Sequence, residues 1–542
     1  MTTRLRSTLF LLSTTLLLAA TARADFLDGR CVNAQAQGIP NVNLDAFDWN
    51  NGNSVALSND STDANGFFHV TIPNGTYLVR FKPPQPPAST YRPSEIGPVT
   101  VNGTANVGTI TLANGVGVFG HVVNPSNQGV PNINVDIVQN DQDALLVYDL
   151  TDASGNFAVA SPSGAIELRL DTTTVVGQTL APLAMQLSLG GDTDLGTIHL
   201  QQGYTVTALV RGPGGNSIAD CDVDVRDSAT GVKLYTPNDN SNSSGFVSVI
   251  VPAGTYDFDF CAPFNLHLFV RRIAGVTVSA NMSLGIVTLS SGFVVSGNVR
   301  DAQNHPLESV AVIAKDSSSG ESIPLCHNHS DANGNYATIF PGGTFDVYFI
   351  PTPAQQLGAG AANNPVTVNG NITINAVLPP AFTPFCFGDG SLPTACPCGN
   401  FGAAGRGCAN SQAGSTGALL AASGTTHPDT AVLSASGTLP SALCVFLQGG
   451  AEHIPPAVFG DGVRCAGGVL KRLKIRNASG GAASYPVSGD PSISSRSAAL
   501  GDPIPIAATR YYQVYYRDPS ATFCPSPPGG TFNVTNGVRM VW

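Results

Sequence analysis

Several short stretches of this sequence place reactive residue types at chemically useful spacings. In Thr62-Asp-Ala-Asn-Gly66, Asp63 and Asn65 stand two apart and a glycine follows, the order of ligands and bend in an EF-hand loop. Gly115-Val-Gly-Val-Phe-Gly120 matches the dinucleotide fingerprint G-x-G-x-x-G. His305-Pro-Leu-Glu308 has the His-x-x-Glu spacing of zinc carboxypeptidases, and Cys326-His-Asn-His329 sets Cys326, His327 and His329 close enough to share a transition metal. Asp220, Asp222 and Asp224 alternate along one strand face in Asp220-Cys-Asp-Val-Asp-Val-Arg-Asp227. A Gly-x-Ser-x-Gly elbow, a His-Glu-x-x-His pair and a phosphate loop are all missing from the chain.

What these stretches do depends on the elements that hold them, and those elements repeat. The first stretch returns as Thr151-Asp-Ala-Ser-Gly155, Ser241-Asn-Ser-Ser-Gly245 and Ser330-Asp-Ala-Asn-Gly334, with the turn glycines spaced 89, 90 and 89 residues apart. A second glycine series, Gly75, Gly164, Gly254 and Gly343, keeps the same spacing. Between them lie runs such as Val42-Asn-Leu-Asp-Ala-Phe47 and Ile133-Asn-Val-Asp-Ile-Val138, which alternate apolar and polar residues with the period of a half-buried strand. Short strands with frequent turn signals predict a two-sheet sandwich in each copy. The chain therefore divides into repeats at 25–114, 115–203, 204–292 and 293–380, followed by a different region at 385–542.

This frame decides among the chemical readings. Across the repeats Asp63 becomes Asp152, Asn242 and Asp331, and no bidentate acid closes the loop, so calcium is not what the position conserves from copy to copy. The glycine persists, as a hairpin turn with positive φ requires. Gly115–Gly120 runs into a strand, whereas a nucleotide site needs the N-terminus of a helix there. His305 and Glu308 align with Gln128-Gly-Val-Pro131 and Asn216-Ser-Ile-Ala219, a turn with no ligand in the other copies. A solvated loop accounts for 326–329, and solvent exposure for the three aspartates. No catalytic, cofactor or metal residue is assigned, and no cofactor is expected.

The repeats resemble the carboxypeptidase regulatory-like family, related to Cna B-type and transthyretin-like sandwiches. The residues that carry the likeness are Gly120-His-Val122 and Gly297-Asn-Val299, Gly38-Ile-Pro40 and Gly129-Val-Pro131, the Thr-Asp-Ala-x-Gly turn and the Pro-x-Gly-x-Tyr turn. The resemblance implies an all-β chain of tandem Greek-key β-sandwiches, modules that usually space, adhere or contact glycans. It implies no Lys–Asn isopeptide bond, because no first strand holds a lysine. It also implies that Cys221 and Cys261 lie on neighbouring strands, from which an intra-repeat disulfide is expected, although the two alternate to opposite faces unless the strand ends absorb the difference.

Residues 1–24 read as a signal peptide, with a basic start, an apolar run over 9–20 and Ala22-Arg-Ala24 at the cleavage site. No later run approaches the roughly 20 apolar residues of a membrane span. Net charge is −11, only 11% of residues are charged and five are lysine, which gives no footprint for nucleic acid. An exported chain favours disulfides over zinc, so Cys386, Cys396, Cys398, Cys408, Cys444, Cys465 and Cys524 of the terminal region join Cys221 and Cys261 as disulfide candidates, with at least one of the seven left over. That region, a disulfide-rich β domain, resembles a terminal module of secreted proteins from planctomycete-like bacteria through Phe385-Cys-Phe-Gly-Asp-Gly390, Cys396-Pro-Cys-Gly-Asn400, Gly407-Cys-Ala-Asn410, Phe459-Gly-Asp-Gly-Val-Arg-Cys465 and Tyr516-Arg-Asp-Pro519. Tyr511, Tyr512, Tyr515, Tyr516 and Trp542 either stack on sugars or pack the core, and Arg464, Lys471, Arg472, Lys474 and Arg476 form a basic strip for an anionic polymer. The expected function is a secreted or cell-surface structural or adhesion protein, non-enzymatic, whose terminal module anchors or binds. The alternatives are an extracellular polysaccharide-binding protein and a hydrolase hidden in the terminal region.

Overall fold

The computed structural model describes residues 25–140, 142–520, 522–524 and 530–542, so the signal-peptide reading lies outside the described residues. The fold is all-β. In the first repeat, strand Asp25–Val32 sits between Phe67–Ile72, antiparallel, and Thr104–Thr111, parallel. The facing sheet runs Ser54–Val55, Asn43–Asp48, Gly75–Lys82, Ser94–Val101. Alternation does what the sequence demanded: Leu27, Leu44, Val70, Val79 and Phe81 turn inward from both sheets and are buried, while Asp28 and Arg30 turn out. The same arrangement recurs around strands Val116–Val123, Tyr204–Arg211 and Phe293–Asp301. Each has its own apolar core, over 118–200, 206–289 and 295–378.

The last strand of each repeat pairs parallel with the first, and a register shift interrupts the pairing. Gly108, Gly196 and Gly285 lie within this interruption with φ of +72°, +65° and +72°, a region that side-chain-bearing residues rarely adopt. The fourth repeat instead splits this strand into Ile372–Thr373 and Ala376–Leu378. That break explains why its closing sequence resembles the other three least.

The Asp-x-x-Gly stretch is a turn. Asp63 Oδ1 accepts the N–H groups of Asn65 and Phe67, both at 2.8 Å, and Gly66 has φ +81°. Asp152, Asn242 and Asp331 make the same pair of bonds in the other copies. The residue before it carries a buried hydroxyl that ties this turn to a further segment. Thr62 Oγ1 accepts Val42 N–H at 2.9 Å and donates to Ile39 O at 2.7 Å, entirely buried. Thr151, Ser241 and Ser330 repeat this bolt.

The terminal module builds a mixed core between two sheets. One runs Phe382–Phe385, Gly537–Val541, Thr509–Arg517, Leu443–Gly449, Lys471–Asn477; the other runs Leu419–Ser423, Val432–Ser436, Ala483–Tyr485. A short helix, Ile493–Ala499, capped by the Ser492 side chain, closes one end.

The cysteines correct the expected pairing. Cys261 bonds Cys326 rather than Cys221. Asp222 is the cross-strand partner of Cys261, so Cys221, one residue earlier, faces the core of its repeat while Cys261, also buried, lies on the opposite face of the sheet. Strand ends do not absorb that parity. Cys221 is a free buried thiol, as are Cys31 and Cys444. Cys444, a candidate for pairing, is instead a core residue between Ala442 and Phe446. The remaining bridges are Cys386–Cys465, Cys396–Cys408 and Cys398–Cys524.

Candidate functional site

The described chain concentrates its unusual chemistry where one repeat meets the next. In every copy the loop ahead of the Asp-x-x-Gly turn contains a residue with positive φ: Asn59 (59°), Tyr148 (58°), Asn238 (58°) and His327 (53°). In the second, third and fourth copies this loop meets the preceding repeat, near the end of the strand that follows that repeat's Pro-x-Gly turn. At the first junction Lys82 Nζ lies 5.8 Å from the Tyr148 ring centroid, and Gln85 Nε2 donates to Ala158 O at 2.9 Å. At the second, the Arg169 guanidinium lies 5.1 Å from the Tyr235 ring centroid and Asn238 Nδ2 donates to Thr173 Oγ1 at 3.2 Å. The third is covalent. Cys261 ends its strand as Lys82 does, and bonds Cys326 in the partner loop. His327 Nε2 adds a contact to Ala262 O at 3.2 Å, with Phe264 edge-on to its ring. The run 326–329 is thus a clamp between repeats, with its thiol spent on a disulfide.

The second junction is also acidic. Asp222 and Asp239 are both pushed above the usual carboxylate range, chiefly by burial, Asp239 to about 6 against the lowering effect of its bond to Thr236 Oγ1 at 2.8 Å. Lys233 pairs with Asp224, while Arg272 makes a bidentate pair with buried Asp259, both bonds at 2.6 Å. Asp222 and Asp224 are therefore parts of a charge network, and Asp220 stands apart with φ 55°.

The other sequence candidates resolve locally. His305 Nδ1 sits 3.0 Å from Asp301 Oδ2 within its own turn. Gly115–Gly120 lies in and beside strand Val116–Val123, paired with Asn156–Ser161 and followed by no helix. A cleft of about 770 Å³ flanks the first junction, lined by Gln85, Pro86, His121, Tyr148 and Asn156. His121 and Asn156 bond each other at 3.0 Å, and Asp152 and Asp194 each hold their own turn.

In the terminal module the aromatic residues pack. Tyr512 and Tyr516 are fully buried; Tyr512 Oη donates to Gln448 Oε1 and accepts from Trp542 Nε1, each at 3.1 Å. Tyr511 packs edge-on against Phe385, and Tyr515 packs at a tilt against Phe532. The basic strip is largely engaged. Lys474 and Arg476 share Asp490 at 2.7 and 2.5 Å, Lys471 donates to Leu500 O, and Arg464 covers the Phe459 ring. Arg472 is the exposed member.

No protein-family model and no curated protein matches this sequence. Similar solved structures include the Bacillus anthracis TIE protein, at 10% identity over 63% of this chain and 67% of that one, with a TM-score of 0.15. A Streptococcal ancillary pilin matches at 13% identity over 49% of this chain and 98% of its own, TM-score 0.16. BcpA, the major pilin subunit of Bacillus cereus, matches at 10% over 49% and 99%, TM-score 0.15. Scores this low assign this chain neither a ligand nor an activity.

Proposed function

We propose that this chain is an extracellular structural or adhesion-type protein without enzymatic activity. In this reading the segments 25–114, 115–203, 204–292 and 293–380 are separate sandwich domains in series, and 385–542 is the module that attaches the protein. The observation that carries it is the recurring junction: the same kinked loop meets the same strand end three times, through a cation–π contact, a polar contact and a disulfide. A series of domains joined in one way adds reach with each copy and asks no copy to hold a site. Four disulfides suit an oxidising compartment. The polysaccharide reading loses its main support because the tyrosines that would stack on sugar are buried or packed against phenylalanine.

Deleting 385–542 and fractionating the producing cells tests the attachment role. The truncated chain is expected in the medium and the full chain on the envelope. A truncated chain that stays on the envelope as the full chain does overturns it.

A further inference from the structure

The terminal module buries oxygen atoms that have nothing to bind. Asp461 lies in the turn between strands Ala451–Phe459 and Gly462–Gly467, fully buried, and neither of its carboxylate oxygens has a hydrogen-bond partner among the described residues. The Gly530 amide is the one group that favours its charged form, and it does not reach bonding geometry. The Asp461 main chain, by contrast, is fixed: its N–H donates to Phe532 O at 2.9 Å and its carbonyl accepts from Asn400 Nδ2 at 2.8 Å. Asn400 Nδ2 also donates to Ala409 O at 2.7 Å. Both neighbours are carbonyls, which fixes the amide's orientation and leaves Asn400 Oδ1 as a third buried oxygen without a donor.

A second carboxylate stands nearby. Asp518, also fully buried, accepts the Ser411 N–H at 2.9 Å and the Ser411 hydroxyl, and its charge adds to the forces that keep a proton on Asp461. Among the described residues no lysine or arginine pairs with either aspartate: Arg464 turns to the Phe459 ring and Arg517 to Thr531 Oγ1. Burying a carboxylate with neither donor nor cation is strongly unfavourable. The site therefore has a strong preference for a positive charge at a place where the described residues supply none.

We propose that Asp461 and Asn400 Oδ1, with Asp518 supplying the second negative charge, form a binding site for a hard divalent cation, Ca²⁺. The donor set is all oxygen, carboxylate and amide, which suits Ca²⁺ and disfavours softer metals. Among the described residues no group of three or more His, Cys, Asp and Glu side chains is arranged for a metal, so the remaining positions fall to main-chain and water oxygens. With so few acidic ligands the dissociation constant belongs in the range of about 10⁻⁴–10⁻³ M.

The test is calcium titration of the full chain at neutral pH by calorimetry, with thermal unfolding in EDTA, in 10 mM CaCl₂ and in 10 mM MgCl₂. The expected result is a single site of millimolar or slightly better affinity and a rise of a few degrees in the terminal module's transition with Ca²⁺, smaller with Mg²⁺. Asp461→Asn preserves shape and removes the charge. It is expected to fold, to unfold at the same temperature in all three buffers, and to lose the calorimetric site. No heat and no shift with the unmodified chain overturns the proposal, as does an Asp461→Asn chain that keeps the calcium shift.

Discussion

Thr151 in a repeat and Gln513 in the terminal module have the same task, holding buried main-chain groups of separate segments together, and they do it at different range. Thr151 joins Val130 O and Ile133 N–H, about twenty residues away in the chain. Gln513 accepts the N–H groups of Cys465 and Ala466 at 2.7 and 2.9 Å and donates to Thr535 O at 2.9 Å, from the middle of its sheet. Asn536 does likewise for Leu420, across 116 residues. A local bolt can be copied with the segment that carries it. A long-range bolt belongs to one arrangement of one chain, and the disulfides Cys386–Cys465 and Cys398–Cys524 reinforce that arrangement where loop closure is most costly.

Substitutions can break or sharpen this contrast. Gln513→Leu strands three buried main-chain groups, so a loss of roughly 3–9 kcal/mol is expected in the terminal module, at about 1–3 kcal/mol for each group. Fluorescence of Trp542, buried where Trp49 is half-exposed, follows it in denaturant. Thr151→Val strands one donor and one acceptor and is expected to cost roughly 2–6 kcal/mol at the same rate for each group. Hydrogen exchange should confine the damage to 115–203; spread into other repeats would undo the claim that the bolt is local.

At the second junction the sign of a pH effect is determined. The folded-state Asp239 carboxyl is raised to about 6, above its ordinary 3.8, so between those values the folded chain binds more protons and stability falls as pH rises. Asp239→Asn is expected to flatten the change in melting temperature between pH 4.5 and 7, though not abolish it, since Asp222 is raised too. Cys326→Ser should leave each core folded while broadening the distance distribution between spin labels on the third and fourth repeats. The smallest effect belongs to Lys82→Met, which removes the cation–π contact with Tyr148 and an ion pair with Asp45 and is expected to cost about 0.5–1 kcal/mol. A change at Lys82 as large as at Cys326 would show that the junctions are not graded as described.

Legibility in the sequence follows the same divide. A feature copied four times announces itself, so the repeats, their turn glycines and their alternating strands were readable from spacing alone. The hydroxyls of Thr62, Thr151, Ser241 and Ser330 were equally visible; what hid them is that a Ser or Thr beside a turn looks like turn composition. The Cys261–Cys326 bridge was hidden by the assumption that a repeat staples itself, against the pleat parity that forbids it. In the terminal module, Asp461 and Asn400 each sat in a recognisable motif, but nothing along the chain reveals that residues 61 apart share one buried spot.

The buried thiols have a consequence for how such a chain matures. Cys221 precedes, by one place, the residue opposite Cys261, so before the third repeat folds nothing separates two sulfurs that the finished sheet keeps on opposite faces. Once the sheet has formed, burial pushes the Cys31 and Cys221 thiols up to about 12 and that of Cys444 to about 11, far from the thiolate that attacks a disulfide. The odd cysteines are then bystanders to oxidation. Fidelity of cross-linking rests on timing: a sheet that closes before the oxidant arrives offers Cys261 one accessible mate, in the neighbouring repeat, whereas early oxidation would trap the wrong one.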